Sequence, residues 1–443
     1  MQPIGLSSYP ATYAVETRSA ESQYTPSSYS EEYSLSKYFP KGSVYFYAFP
    51  AGEESGFFNN IAPWIEELVA ARPLLCAGPD IKVLTFAPSA ESLVWQLMDE
   101  LGTEMISPSR IMLLPRSITS DVEGAARNQA IKGEIAQIAS KGEIIMAQPY
   151  TDKSLRNAFQ IAPEITVFLN DKKNMNSYIH EKYLPKEYGR YENGKIFADS
   201  QDTLPIPCVI KISSSSAGDG VRICRTAEDL EMAKKDFSPR SGLVIAYEFI
   251  KSVKNYCIQF GIPFDTQKEI EIIGFNEQVI GKCGEFLGGM VPAIQHKKEL
   301  EPVYEALLHE ILPKVRAMGW YGVGGLDVLL TEQGDFYCID PNFRMTATFA
   351  FVTQVRNKKI KKSLLGFTGT FNGPEAAFRD KILPIARFGT DAQLLNIVSL
   401  THKDEAYRFN GAIVFGENET PEYIAKKLLD RGIESLALSC LAS

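Results

Sequence analysis

The 443-residue chain has no run of about 18 apolar residues, so no membrane-spanning helix is expected. Its first twenty residues, MQPIGLSSYPATYAVETRSA, lack a basic start followed by an apolar stretch, so no secretory signal is expected there. Cysteine is sparse and scattered, at 76, 208, 224, 257, 283, 338 and 440, and no C-x-x-C occurs. An odd count without ligand spacing argues against a disulfide framework or a zinc site and for reduced thiols in the cytoplasm. Only four histidines are present, which disfavours histidine-rich metal chemistry. A basic excess is also missing. Lys plus Arg is 46 against 54 Asp plus Glu, a net charge of −8, which argues against a broad nucleic-acid surface. No internal repeat occurs, and no G-x-G-x-x-G follows the first predicted strand, so dinucleotide binding is not inferred. What is present is ordinary globular composition, 45% apolar and 23% charged, in a chain long enough for about three domains.

Residues 1–40 are rich in Ser, Tyr and Glu and poor in aliphatics, and read as a flexible tail. From 41 to 165 strand and helix patterns alternate. SVYFYAFPAG, IKVLTFAP, RIMLLP and EIIMAQPY read as strands. NNIAPWIEELVAAR, ESLVWQLMDELG and residues 121–140 read as helices. This predicts a parallel sheet with covering helices. The texture then changes to short, closely spaced strands with one helix at 227–237, an α+β pattern. Residues 299–318 carry a helical apolar repeat interrupted by Pro313, which predicts a kink or break. TPEYIAKKLLDRG predicts a helix capped by Thr420 and stopped at Gly432.

Two segments carry chemistry. In VIKISSSSAGDGVRIC a buried-type strand delivers Lys211, and a run of small residues from Ser213 to Gly220 leads into a second strand. Ser, Ala and Gly let backbone N–H groups approach an anion, and a lysine on the preceding strand neutralises phosphate oxygens. A plain hairpin loop with a surface lysine is the competing reading. In GLDVLLTEQGDFYCIDPNFRMTATF, Asp327 lies on one predicted strand and Asp340, Asn342 and Arg344 alternate on the next, sharing a face. Two carboxylates and an amide oxygen suit Mg²⁺, and an adjacent arginine suits phosphate. An ordinary polar loop with an Asp-Pro turn is the alternative.

In this order the two segments resemble the ATP-grasp superfamily, over about residues 165–350. Asn170-Asp171-Lys172 is similar to the D-K pair opening that fold's nucleotide-binding part. Lys211 and the 213–220 loop look like the glycine-rich loop of the biotin carboxylase branch. Ala246-Tyr247-Glu248-Phe249-Ile250 is similar to the acidic-aromatic-aliphatic hinge whose backbone reads adenine. The resemblance implies that Lys172 and Lys211 pair with nucleotide phosphates. It also implies that the loop, with Ser213, Ser215, Ser216, Gly218 and Gly220, closes over them. Tyr247, Glu248, Phe249 and Ile250 would form the adenine hinge. Asp327, Asp340 and Asn342 would hold Mg²⁺, with Arg344 stabilising charge on the reacting group. Two departures stand out: Asn255 where an acid often meets the ribose, and Asp340 in place of the commoner Glu.

The implied fold is mixed α/β plus α+β. A flexible tail (1–40) precedes a pre-grasp domain (41–165), a small lobe (166–250), a large lobe bearing the metal site (251–360) and a small C-terminal extension (361–443). The implied activity is ATP-dependent carboxylate–amine ligation through an acyl-phosphate, releasing ADP and phosphate. A thiol or other nucleophile, or a non-catalytic nucleotide-binding module, are the rivals. The expected ligands are ATP, Mg²⁺ and small-molecule carboxylate and amine substrates, with no nucleic acid or membrane, and a homodimer on base rates. Glu277-Gln278 and Gly288-Gly289 lie where relatives place substrate-facing strands. His296 with Lys297 and Lys298, and the basic run Arg356 to Lys362, read as solvated surface.

Overall fold

The computed structural model describes residues 31–47, 63–86, 92–102, 106–114, 124–139, 144–146, 153–192, 204–214, 220–238, 242–280, 286–387, 394–416 and 418–442. The N-terminal sheet is formed by β1 (Val44–Phe46), β2 (Lys82–Phe86), β3 (Ile111–Leu114) and β4 (Ile144–Met146). All its pairings are parallel, in the order β3-β2-β1-β4. Helices α1 (Pro63–Ala71), α2 (Ser92–Glu100) and α3 (Gly124–Ala139) connect the strands. Parallel neighbours require such crossovers, and β1 is buried along its whole length as a central strand should be.

Helix α4 (Pro163–Asn170) leads into the small sheet: β5 (Glu187–Tyr191), β6 (Cys208–Ile212), β7 (Val221–Cys224) and β8 (Val244–Glu248). Its order is β5-β8-β6-β7, all antiparallel. Helix α5 (Ala227–Phe237) covers it, and Phe237, Ala233 and Leu230 pack with Cys208, Ile210 and Cys224. Thr226 starts this helix with a capping box, its hydroxyl accepting from Asp229 N–H while Asp229 accepts from Thr226 N–H.

The remaining strands form one ten-stranded sheet: β9 (Ser252–Ile262), β10 (Glu271–Ile280), β11 (Phe286–Val291), β12 (Gly322–Thr331), β13 (Phe336–Asn342), β14 (Ser363–Asn372), β15 (Ala386–Arg387), β16 (Leu395–Lys403), β17 (Ala406–Phe415) and β18 (Ile433–Glu434). The order runs β13-β12-β9-β10-β11-β14-β17-β16-β15, with β18 beside β14. Helices α6 (Glu301–Ala306) and α7 (Leu312–Ala317) are joined by a π-helical turn, Leu307–Ile311. That turn accommodates Pro313, which cannot donate the regular helical hydrogen bond. Helices α8 (Phe349–Lys358), α9 (Glu375–Lys381), α10 (Pro421–Asp430) and α11 (Leu436–Ala442) complete the chain.

Two boundaries differ from the sequence reading. Residues 361–443 are no separate extension: β14 pairs directly with β11, so all five C-terminal strands prolong the sheet that carries Asp327 and Asp340. The expected tail is also ordered at its end. Residues 31–39 form two short 3-10 turns that bury Tyr33, Leu35, Tyr38 and Phe39. These side chains share a core with α1, with Phe349 and Val352 of α8, and with Leu364 of β14. The segment is poor in aliphatics, and aromatic side chains supply most of what docks it.

Candidate active site

A cavity of about 1190 Å³ opens between the small sheet and the large one. On the small-sheet side, β6 places Lys211 against it. The Lys211 ammonium reaches across and donates to the carbonyl of Ile339 on β13 at 3.0 Å. Burial lowers its pKa to about 8; Asp340 opposes the shift, Lys172 adds to it, and Asp327 opposes it. Lys172, almost wholly buried, sits 2.9 Å from the carboxylate of Asp340. Asp171 caps the 3-10 turn beginning at Lys172, accepting from Lys173 N–H and from the hydroxyl of Ser213. Lys172 N–H donates to the Ser213 carbonyl at 3.1 Å. The D-K pair and the lysine strand are thereby tied to each other.

On the large sheet, Asp327 and Asp340 are register partners across β12 and β13. Asp340, Asn342 and Arg344 alternate with buried Pro341 and Phe343, so the three share the cavity face. The Asp327 carboxylate is buried, and its Oδ1 accepts no hydrogen bond among the described residues. Its pKa rises to about 6, chiefly through burial and then through Asp340; polar contacts from Gln278 and Cys257 and the charge of Arg344 oppose the shift. Arg344 donates to the Asn170 side-chain oxygen at 2.7 Å, which also accepts from Phe343 N–H at 3.1 Å. Asn170 therefore aims the arginine.

The hinge residues Tyr247, Glu248, Phe249 and Ile250 line the same cavity, beside Lys186, Val209 and Val221. The Glu248 N–H is committed to the Lys186 carbonyl at 2.8 Å, so that donor is not available to an adenine. The Arg225 guanidinium lies 5.6 Å from the Phe249 ring centre. Ser213 is brought close to the site but faces Asp171. Ser213 and Gly220 are not among the lining residues. Ser215, Ser216 and Gly218 lie outside the described residues. Asn255, Glu277, Gln278 and Gly288 do line the cavity.

Residues 190–342, about a third of the chain, match the family described as L-aspartate–L-methionine ligase, ATP grasp. Over that stretch the chain is similar to ATP-grasp ligases. The D-alanine–D-alanine ligase of Trichlorobacter lovleyi is 29% identical over 138 residues, 31% of this chain and 43% of that protein. The chain spans 30% to 43% of the length of the curated relatives it matches. Among solved structures, biotin carboxylase from Campylobacter jejuni superposes with a TM-score of 0.55 at 13% identity, covering 91% of this chain and 96% of that one. L-amino acid ligase from Bacillus licheniformis gives 0.51 at 16% identity, covering 90% and 98%. The ATP-grasp fold thus extends through the N-terminal sheet and the C-terminal strands.

The ATP-grasp metal position fits this chain. Asp327 Oδ1 is a buried, unsatisfied carboxylate oxygen, and Asp340 and Asn342 add oxygen donors on the same face. Magnesium takes one or two carboxylates and completes its shell with phosphates and water. Among the described residues no group of three or more His, Cys, Asp or Glu gathers anywhere, so this position offers two carboxylates and one amide oxygen.

Sequence reasoning missed the opposite end of the cavity. Tyr47, Ile65, Val69 and Arg72 of the N-terminal region line it, together with Thr368, Asn410 and Leu436 from the C-terminal part. No local motif marks them, because they meet only when the terminal segments pack on the sheet.

Proposed function

We propose that the chain is an ATP-dependent, ADP-forming ligase that joins the carboxylate of one amino acid to the amine of another. The observation carrying this reading is the convergence of Lys172, Lys211, Asp327, Asp340, Asn342 and Arg344 on one cavity from four separate segments. The cavity exceeds the roughly 300–1,000 Å³ of a single small-molecule site, as a nucleotide plus substrates requires. The family match over 190–342 supports amino acids as the substrate class.

In this reading Lys211 holds the phosphate oxygens as a point charge, and Lys172, behind Asp340, adds positive field at the same end. Magnesium, when held by Asp327, Asp340 and Asn342, neutralises charge on the transferring phosphoryl group. The substrate carboxylate is already ionised at neutral pH and needs no base to activate it. It attacks the γ-phosphorus of ATP, the bond to the bridging oxygen breaks, and ADP leaves. The amine then attacks the acyl carbon, loses a proton, and phosphate leaves. Arg344, held by Asn170, stabilises negative charge on the acyl oxygen. Free thiols at Cys76, Cys208, Cys224, Cys257 and Cys338 and a dependence on ATP support a cytoplasmic enzyme. The assembly proposed is a homodimer, on base rates. The test is ADP release from ATP and Mg²⁺ with an amino-acid panel, the product read by mass spectrometry. Substrate-dependent ADP with a new amide is expected; ATP binding without turnover across the panel overturns the reading.

A further inference from the structure

Arg72 follows α1 and turns its guanidinium toward the cavity end formed by α1, β14, β17 and α11. Its Nη2 donates to the Asn410 side-chain oxygen at 3.0 Å. Asn410 is itself fixed, accepting from Thr368 Oγ1 at 3.2 Å and donating to Ser399 Oγ at 2.7 Å. The second partner is the Tyr47 hydroxyl. Neither partner is a carboxylate, and among the described residues no carboxylate forms an ion pair with Arg72. The Nε atom is fully buried and makes no hydrogen bond. Burial lowers the pKa of the group, with Tyr47 opposing the shift. A partly buried guanidinium at the cavity wall with no carboxylate partner is costly, and a ligand anion relieves that cost.

We propose that Arg72 binds a substrate carboxylate other than the one activated for ligation. The cavity supports this placement. Its lining runs over the sheet from Asp327 on β12 through Asn276 on β10, Gly288 on β11 and Gly366 on β14 to Asn410 on β17. The metal residues and Arg72 therefore lie toward opposite ends of one continuous space. A planar guanidinium matches a carboxylate. No second cation lines the cavity from α1, β14, β17 or α11 among the described residues, so a singly charged carboxylate fits better than a phosphate. The inference rests on the ligase reading only in calling the bound molecule a substrate.

Calorimetric titration of the full-length protein tests it, using L-aspartate, L-methionine and L-alanyl-L-alanine, each against its C-terminal amide, with and without MgADP. At least one acid binds, and its amide binds roughly tenfold or more weakly, as loss of a charge-assisted hydrogen bond requires. Arg72→Met abolishes this difference and leaves MgADP affinity unchanged. Asn410→Asp, which places a competing carboxylate beside Arg72, does the same without removing the arginine. It decides the matter should Arg72→Met fail to fold. Comparing aspartate with methionine shows whether a side-chain or a main-chain carboxylate is bound. Equal binding of acids and amides, unchanged acid affinity in both variants, or no binding by any acid overturns the proposal. ADP release in the same panel reports separately on the ligase reading. Acid-selective binding without turnover would sink that reading and leave Arg72 standing.

Discussion

The Lys172 ammonium lies 2.9 Å from a carboxylate oxygen of Asp340, and the two differ sharply in exposure. Lys172 keeps 2% of its side chain exposed and Asp340 keeps 24%, so a ligand can reach the acid while the lysine holds it from behind. The contact links the segment after α4 to β13.

Asp340→Asn should remove a metal donor and leave Lys172 buried without its anion. ADP formation should fall roughly 100-fold or more, since preorganised charge is lost at the reacting group. Stability should fall by about 1–3 kcal/mol, less than for a fully buried pair because Asp340 is partly solvated. Steady-state kinetics and urea unfolding check the two effects. Near-normal turnover would remove Asp340 from the metal site.

Lys211 should give nucleotide binding an alkaline limb. Its folded pKa of about 8 lies below the ordinary 10.5, because burial disfavours the ammonium. Between those values the unfolded chain binds more protons. The stability this group contributes is thus fully present above 10.5 and is lost as pH falls through about 8. ADP prefers the charged form, so its affinity should fall above pH 8, by up to about tenfold per unit. Calorimetry from pH 7 to 9.5 reads this, and Lys211→Met should flatten the profile. A wild-type affinity constant across that range would rule the role out.

Gly289→Ala should damage the floor of the cavity. A Cβ there would stand 2.5 Å from Thr348 Cγ2 and 2.8 Å from Asn276 Nδ2. Those two residues are held by Gln259, whose amide donates to Thr348 Oγ1 at 2.8 Å and to Asn276 Oδ1 at 3.2 Å. Overpacking this network should cost about 1–3 kcal/mol, measured by denaturant unfolding. A change below 0.5 kcal/mol, roughly the scatter for neutral surface substitutions, would show that the network yields easily.

The parts of the site legible in the sequence are those carried by local pattern. Lys211 is on the strand that its buried-type neighbours predict, and 227–237 is a helix over the whole predicted range. Strand alternation places Asp340, Asn342 and Arg344 on one face, as read. Pro313 interrupts its helix through a π turn. Strand β5, EYGRY, was hidden because polar residues line an edge strand that pairs on only one side. The role of the C-terminal strands was hidden for a different reason. Apolar alternation shows that a strand exists, but its neighbour in the sheet depends on a contact between β11 and β14, some 75 residues apart. Arg72 was invisible because its partners Tyr47 and Asn410 belong to segments before and far beyond it.

The unbroken sheet from β12 to β17 has a mechanical consequence. Asp327 and Asn410 sit on strands tied together by continuous hydrogen-bonded ladders, so one framework fixes their separation. The floor of the cavity is a ruler: its marks are five strand steps apart, and it measures the molecule laid along it.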